Sequence, residues 1–181
     1  IILFGAIRST SDKRKGFEHL QRALHLLAKR GWKDKAAVLV VGASEPANAP
    51  DLALSAHYLG KLQDDISLAA LYSAADVFVA PSLQENLSNM VMEALACGTP
   101  CVTFDVGGMP DMIEHRHNGY LAIAFEPEDL AAGISYVLDD EQRHQALSRR
   151  ARKKVEEKFE LTQIASRHKA LYEEVVANSG M

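Results

Sequence analysis

The chain has 181 residues, 48% of them hydrophobic, a formal net charge of −4 and two cysteines. This length and apolar content suit one well-cored domain, and the acidic balance excludes a dedicated nucleic-acid binder, which needs a broad basic field. No apolar run reaches the about 18 residues that cross a bilayer; a disulfide between Cys97 and Cys101 is conceivable, but without CxxC or zinc spacing both are expected to be buried, reduced thiols.

In chain order, residues 1–6 read as a core strand, and helical spacing follows over 16–29 through Phe17, Leu20, Leu24 and Leu27. Residues 36–42 (AAVLVVG) are continuously apolar, as a strand buried on both faces of a parallel sheet requires. After a Pro/Ala loop at 47–53 come a short strand at 57–60, a helix at 66–74 and a strand at 76–80. A helix at 88–97, a strand at 100–104, a short helix at 109–114 and a strand at 119–123 follow. The rest is helical, over 128–138, 141–159 and 162–177. The alternation predicts an α/β fold: a Rossmann-like doubly wound parallel sheet of about six strands with C-terminal helices. In such sheets ligands lie beyond the carboxyl ends of the strands, at a switch point. The chain begins directly on a strand, with no initiator Met and no signal peptide, which predicts a cytoplasmic piece of a longer protein.

The candidate chemistry falls at those strand ends. Asp12-Lys13-Arg14-Lys15-Gly16, with Arg8 nearby, follows the first strand, and its cations suit a diphosphate: Lys as a point charge, Arg as a planar fork. Glu85-Asn86-Leu87-Ser88-Asn89 follows the strand at 76–80. Ser88 or Asn89 can cap the next helix, and the Leu87 and Ser88 amides face the pocket. Glu85 can reach a sugar hydroxyl or a positive charge developing at an anomeric carbon. Glu93 lies one turn into the helix beside Met90, Val91, Ala94 and Leu95, and a carboxylate there needs a partner. A ribose diol would supply two donors; a salt bridge is the plainer alternative. In Phe104-Asp105-Val106-Gly107-Gly108-Met109-Pro110-Asp111, the paired glycines allow close backbone approach or positive φ. Phosphate donors beside hydroxyl acceptors describe a sugar-nucleotide pocket.

Together these segments resemble the C-terminal, donor-binding domain of a GT-B-fold retaining glycosyltransferase. Glu85 and Glu93 match the family's E-x7-E spacing, within PS-x-x-E-N, M-E-A-L-A-C-G-T-P and F-D-V-G-G-x-P-D segments. Arg14-Lys15-Gly16 resembles its phosphate-binding Lys-Gly, and L-Y-S-A-A-D-V-F-V-A-P-S resembles the helix and strand leading into the signature. The resemblance covers nearly the whole chain. It implies that Lys15 and an arginine bind the donor diphosphate, that Glu93 binds the ribose, and that Glu85 approaches the sugar. Backbone from Leu59 through Gly60 and Lys61 to Leu62 would meet the base, and the Leu87 and Ser88 amides the phosphates. The donor would be a UDP- or GDP-sugar, with no metal required. The acceptor, a glycan or lipid-linked glycan, would be held by an N-terminal domain absent from these residues, toward which residues 160–181 would cross. By itself the chain is expected to bind nucleotide and turn over little.

Two positions depart from the family pattern. Many members carry Arg after the first-strand glycine, but here Gly5 precedes Ala6, leaving Arg8 or Arg14 to supply the guanidinium. The usual Gly-Phe-Gly after the first glutamate is replaced by Asn86-Leu87-Ser88. Other features read as ordinary structure. His115-Arg116-His117 precedes an Asn-Gly turn and is not expected to bind metal. The basic run 149–154 surrounds a stripe of Leu147, Ala151 and Val155 and reads as a solvated face, with peripheral contact to anionic lipid left open. The apolar stripe Ile164, Leu171 and Val175 leaves self-association open as well. A non-catalytic sugar-nucleotide module and a GT-B epimerase are the alternative classes. A dehydrogenase is disfavoured because no GxGxxG follows the first strand.

Overall fold

The structure, a computed structural model, describes residues 1–5, 12–46 and 48–179. Six parallel strands form one sheet in the order β3-β2-β1-β4-β5-β6. They are β1 (Ile2–Gly5), β2 (Ala37–Val41), β3 (Ser55–Gly60), β4 (Val77–Ala80), β5 (Cys101–Phe104) and β6 (Gly119–Ala122). The helices are α1 (Phe17–Leu27), α2 (Asp65–Ala74), α3 (Asn89–Ala96), α4 (Met109–Met112), α5 (Pro127–Leu138), α6 (Glu141–Lys158) and α7 (Leu161–Ser179). This is the doubly wound Rossmann-like sheet with C-terminal helices that the alternation predicts.

The inner strands are apolar apart from buried Thr103 in β5, because both of their faces are covered. Side chains alternate across the sheet, so Ile2, Phe4, Val38, Val40, Val77, Val79, Val102 and Phe104 pack on α1 and α5. Leu3, Phe78, Ala80 and Cys101 point the other way, against α2, α3 and α4. Helix α6 contributes Leu147 to the first layer and Ala151 to the second. Each large core side chain contributes about 1.5–3 kcal/mol of burial.

Departures from the predicted bounds have local causes. Strand β3 begins two residues before the expected start at 57. It is an edge strand whose exposure alternates, so it lacks a continuous apolar run. Helix α1 continues through a π-turn at Ala28–Trp32, interrupted by Gly31 at φ 89°. Both cysteines are free. Cys101 is fully buried, which pushes its thiol well above the ordinary value, whereas Cys97 is only half-buried. Thiol titration of the native protein is expected to label Cys97 alone, and unfolding to expose Cys101. Rapid labelling of both in the folded state would contradict this packing.

Candidate functional site

The strand order reverses between β1 and β4, and a cleft of about 260 Å³ opens there beyond their carboxyl ends. Phe4, Gly5, Lys15, Ala80, Ser82, Glu85, Leu87, Ser88, Asn89 and Met90 line it. Residues that follow β1 and β4 line it, and backbone contacts lock these segments to each other and to the loop after β5.

The first loop turns at Lys13–Lys15, a short 3-10 helix capped by the Asp12 carboxylate, which accepts from the Arg14 amide. Gly16 ends it at φ 68°, and the chain reverses into α1. A side chain at Gly16 would lie 1.8 Å from the Pro81 carbonyl, so only glycine fits between the first and second loops. The Leu83 amide also donates to the Arg14 carbonyl at 2.7 Å. The third loop closes on the second in the same manner. Gly107, at φ 53°, would place a Cβ 1.8 Å from the Glu85 carbonyl, and the Gly108 amide donates to the Asn86 carbonyl at 2.9 Å. The paired glycines thus allow both the positive φ and the close backbone approach expected of them.

These contacts bring Lys15 and Glu85 together, although they are 70 residues apart. Lys15 Nζ donates to Glu85 Oε2 at 2.7 Å, and buried Ser82 stands 3.4 Å from the same oxygen. Ser88 caps α3, its hydroxyl accepting from the Val91 amide. Among the described residues, the Leu87 and Ser88 amides donate no hydrogen bond. A lysine ammonium and two amides at a helix start are donors of the kind an anion uses, and here the ammonium is paired with Glu85.

Arg14 is not brought to the cleft. Its guanidinium forms a fork on Asp12, at 3.1 Å from Nε and 2.7 Å from Nη2, and its side chain is largely exposed. That hydrogen bond lowers the Asp12 carboxyl to about 2. Arg8 lies outside the described residues.

Glu93 is exposed rather than buried among its apolar neighbours, and no salt bridge reaches it among the described residues. Its partner is the Tyr72 hydroxyl, which donates to Oε2 at 2.9 Å from α2. Glu93 and Tyr72 line a second cavity of about 210 Å³ with Val41, Gly42, Lys61, Leu62, Leu68 and Met90. Met90 lines both cavities, so the two are adjacent. Lys61 and Leu62 therefore face Glu93. Leu59 is exposed on the edge strand, and the Gly60 carbonyl accepts from the Gly42 amide at 2.7 Å.

Sequence reasoning did not single out Tyr72 or Ser82. Both occur only inside longer motif segments, because the Tyr72 contact is made across two helices and that of Ser82 depends on the conformation of its loop. The histidine pair behaves as ordinary structure, with His115 bonded through Nδ1 to the Leu121 carbonyl. Three residues of the basic run on α6 are ion-paired: Arg152 with Glu156, Lys153 with Glu157 and Lys154 with Glu114. Among the described residues no cluster of three His, Cys, Asp or Glu could hold a metal ion, and no helix is long and apolar enough to cross a membrane.

Residues 1–140 match the family described as "Glycosyl transferases group 1". The chain belongs to that family. The chain is similar to N-acetyl-alpha-D-glucosaminyl L-malate synthase of Bacillus anthracis, at 34% identity over 119 residues, covering 66% of this chain and 30% of that protein. It spans less than half the length of the curated relatives it matches. Among solved structures, sucrose-phosphate synthase from Thermosynechococcus elongatus superposes with a TM-score of 0.78 at 27% identity, over 98% of this chain and 46% of that one. Anabaena HepE in complex with UDP also gives 0.78, at 22% identity, over 96% of this chain and 48% of the other. The six-stranded sheet with its C-terminal helices thus matches one half of a GT-B fold.

Proposed function

We propose that this family member is the C-terminal, donor-binding half of a retaining glycosyltransferase. Its switch-point cleft receives the diphosphate of a UDP- or GDP-sugar. The observation that carries this reading is the meeting of Lys15 and Glu85 at 2.7 Å beside two amides that find no acceptor among the described residues. Lys15 has three donors and can turn from the carboxylate to a phosphate without leaving the cleft. The likeness to HepE, which was crystallised with UDP, supports a nucleotide there.

In this reading the Leu87 and Ser88 amides hold the phosphates, Glu93 the ribose and Glu85 the sugar, while the end of β3 with Lys61 and Leu62 meets the base. Arg8 is the candidate guanidinium, since Arg14 is engaged by Asp12. During transfer the bond from the anomeric carbon to the diphosphate oxygen breaks as the acceptor oxygen bonds to the same face. The acceptor proton passes to the departing phosphate. Lys15 and the amides neutralise the charge that develops on that phosphate, a task that needs no metal. The acceptor, a glycan or lipid-linked glycan, is held by a further domain of the whole protein, at or near a cytoplasmic membrane face.

Isothermal titration with UDP and GDP tests the nucleotide assignment. One of the two should bind with a Kd below about 1 mM, the upper range of substrate affinities, and EDTA should not alter it. No binding of either at millimolar concentration would end this reading. Donor turnover by the whole protein then separates an enzyme from a non-catalytic module that binds the same nucleotide.

A further inference from the structure

Tyr72 projects from α2 to a carboxylate on α3 and is 1% exposed. The surroundings leave it little freedom. Its ring meets Phe78 edge-on, with centroids 5.7 Å apart and planes at 87°. Its carbonyl accepts from the buried Thr99 hydroxyl at 2.6 Å, tying α2 to the turn before β5. The hydroxyl at the end of this fixed ring donates to Glu93 Oε2. Glu93, by contrast, is exposed, and an exposed glutamate samples several rotamers in water.

We propose that Tyr72 is a positioning residue for nucleotide recognition: its fixed hydroxyl holds the Glu93 carboxylate in the one orientation that engages a ribose diol. This rests on the reading of Glu93 as the ribose ligand. The chemistry of the pair suits the task. Burial and the charge of Glu93 push the Tyr72 phenol well above its ordinary value, so it stays a donor at neutral pH. The hydrogen bond uses one site on Oε2 and leaves Oε1 and a further lone pair to accept from two hydroxyls. Of the two cavities that Glu93 and Tyr72 share, the one next to the switch-point cleft is otherwise lined mainly by apolar groups, including Val41, Leu62 and Met90, which suits a nucleoside. The ordering entropy of the carboxylate is spent during folding rather than at each binding event.

The test compares a ribonucleoside diphosphate with its 2′-deoxy counterpart, UDP with 2′-deoxy-UDP or GDP with 2′-deoxy-GDP, by titration of the whole protein and three variants. Tyr72→Phe should weaken the ribonucleotide by about five- to tenfold, the scale of one ordinary hydrogen bond, and leave the deoxynucleotide nearly unchanged. Glu93→Ala should abolish the preference for ribose, and Tyr72→Phe should add nothing on top of it. Equal weakening of both nucleotides by Tyr72→Phe would mean a structural role and overturn the inference. Retention of the ribose preference in Tyr72→Phe, with its loss in Glu93→Ala, would also overturn it while leaving the Glu93 assignment standing. An unaffected preference in Glu93→Ala would remove both.

Discussion

On the proposed assignment, replacement of Lys15 by methionine is expected to lower kcat of the whole protein by about two to three orders of magnitude, the loss seen when one preorganised group facing a developing charge is removed. Methionine keeps most of the apolar stem and deletes the ammonium that meets Glu85 at 2.7 Å. Two consequences follow on the proposed assignment. The departing diphosphate loses its cation, and Glu85 is left facing the cleft with only Ser82 beside it. Binding should weaken for the nucleoside diphosphate and change little for the nucleoside monophosphate, because the missing charge lies at the second phosphate. A kcat within about threefold of the wild type would place the neutralising group elsewhere and sink the assignment, since a true loss of this kind is far larger.

Gly16→Ala carries the second large effect, on stability and through it on the site. At φ 68° an alanine is strained, and its Cβ would lie 1.8 Å from the Pro81 carbonyl. Backbone cannot step aside as a flexible side chain can, so the Lys15 loop must move away from the Pro81–Ser88 segment. The expected cost is about 3 kcal/mol, or a fall in Tm of about 6–12 °C for a chain of this size. Gly31→Ala is the control. Gly31 also has positive φ, at 89°, but nothing lies within 4 Å of the added carbon. It should cost about 1 kcal/mol, from the backbone strain alone. Equal effects at the two glycines would show that the contact between the loops contributes nothing.

The fold was largely legible because its signals are local. Continuous apolar strands alternating with amphipathic helices permit little besides a parallel doubly wound sheet, and Ser88 could be read as a cap because capping is decided within one helical turn. The proximity of candidate residues was legible where they stay close in sequence: Glu85, the amides that follow it, and Glu93 lie within one loop and one short helix. Legibility failed where a partner comes from another element. Arg14 resembles a phosphate ligand in sequence, yet Asp12, two residues away, holds its guanidinium. Glu93 looks half-buried by its neighbours, yet it is exposed and held by a tyrosine from another helix.

Helix α7 shows the same division. Its apolar stripe was readable, but no residue of it is buried against the rest of the chain. Side-chain periodicity fixes which face of a helix is apolar, not what that face meets.

Residue order alone determined the sheet class, the positions of the loops at the strand ends, and the two glutamates eight positions apart. Only the tertiary structure decided that Lys15 and Glu85 meet, that glycines at 16 and 107 clamp three loops, and that Tyr72 grips Glu93. The reason is physical. Hydrophobic periodicity and turn chemistry act over a few residues, whereas an ion pair or a hydrogen bond between elements exists only after the sheet has brought distant strand ends together.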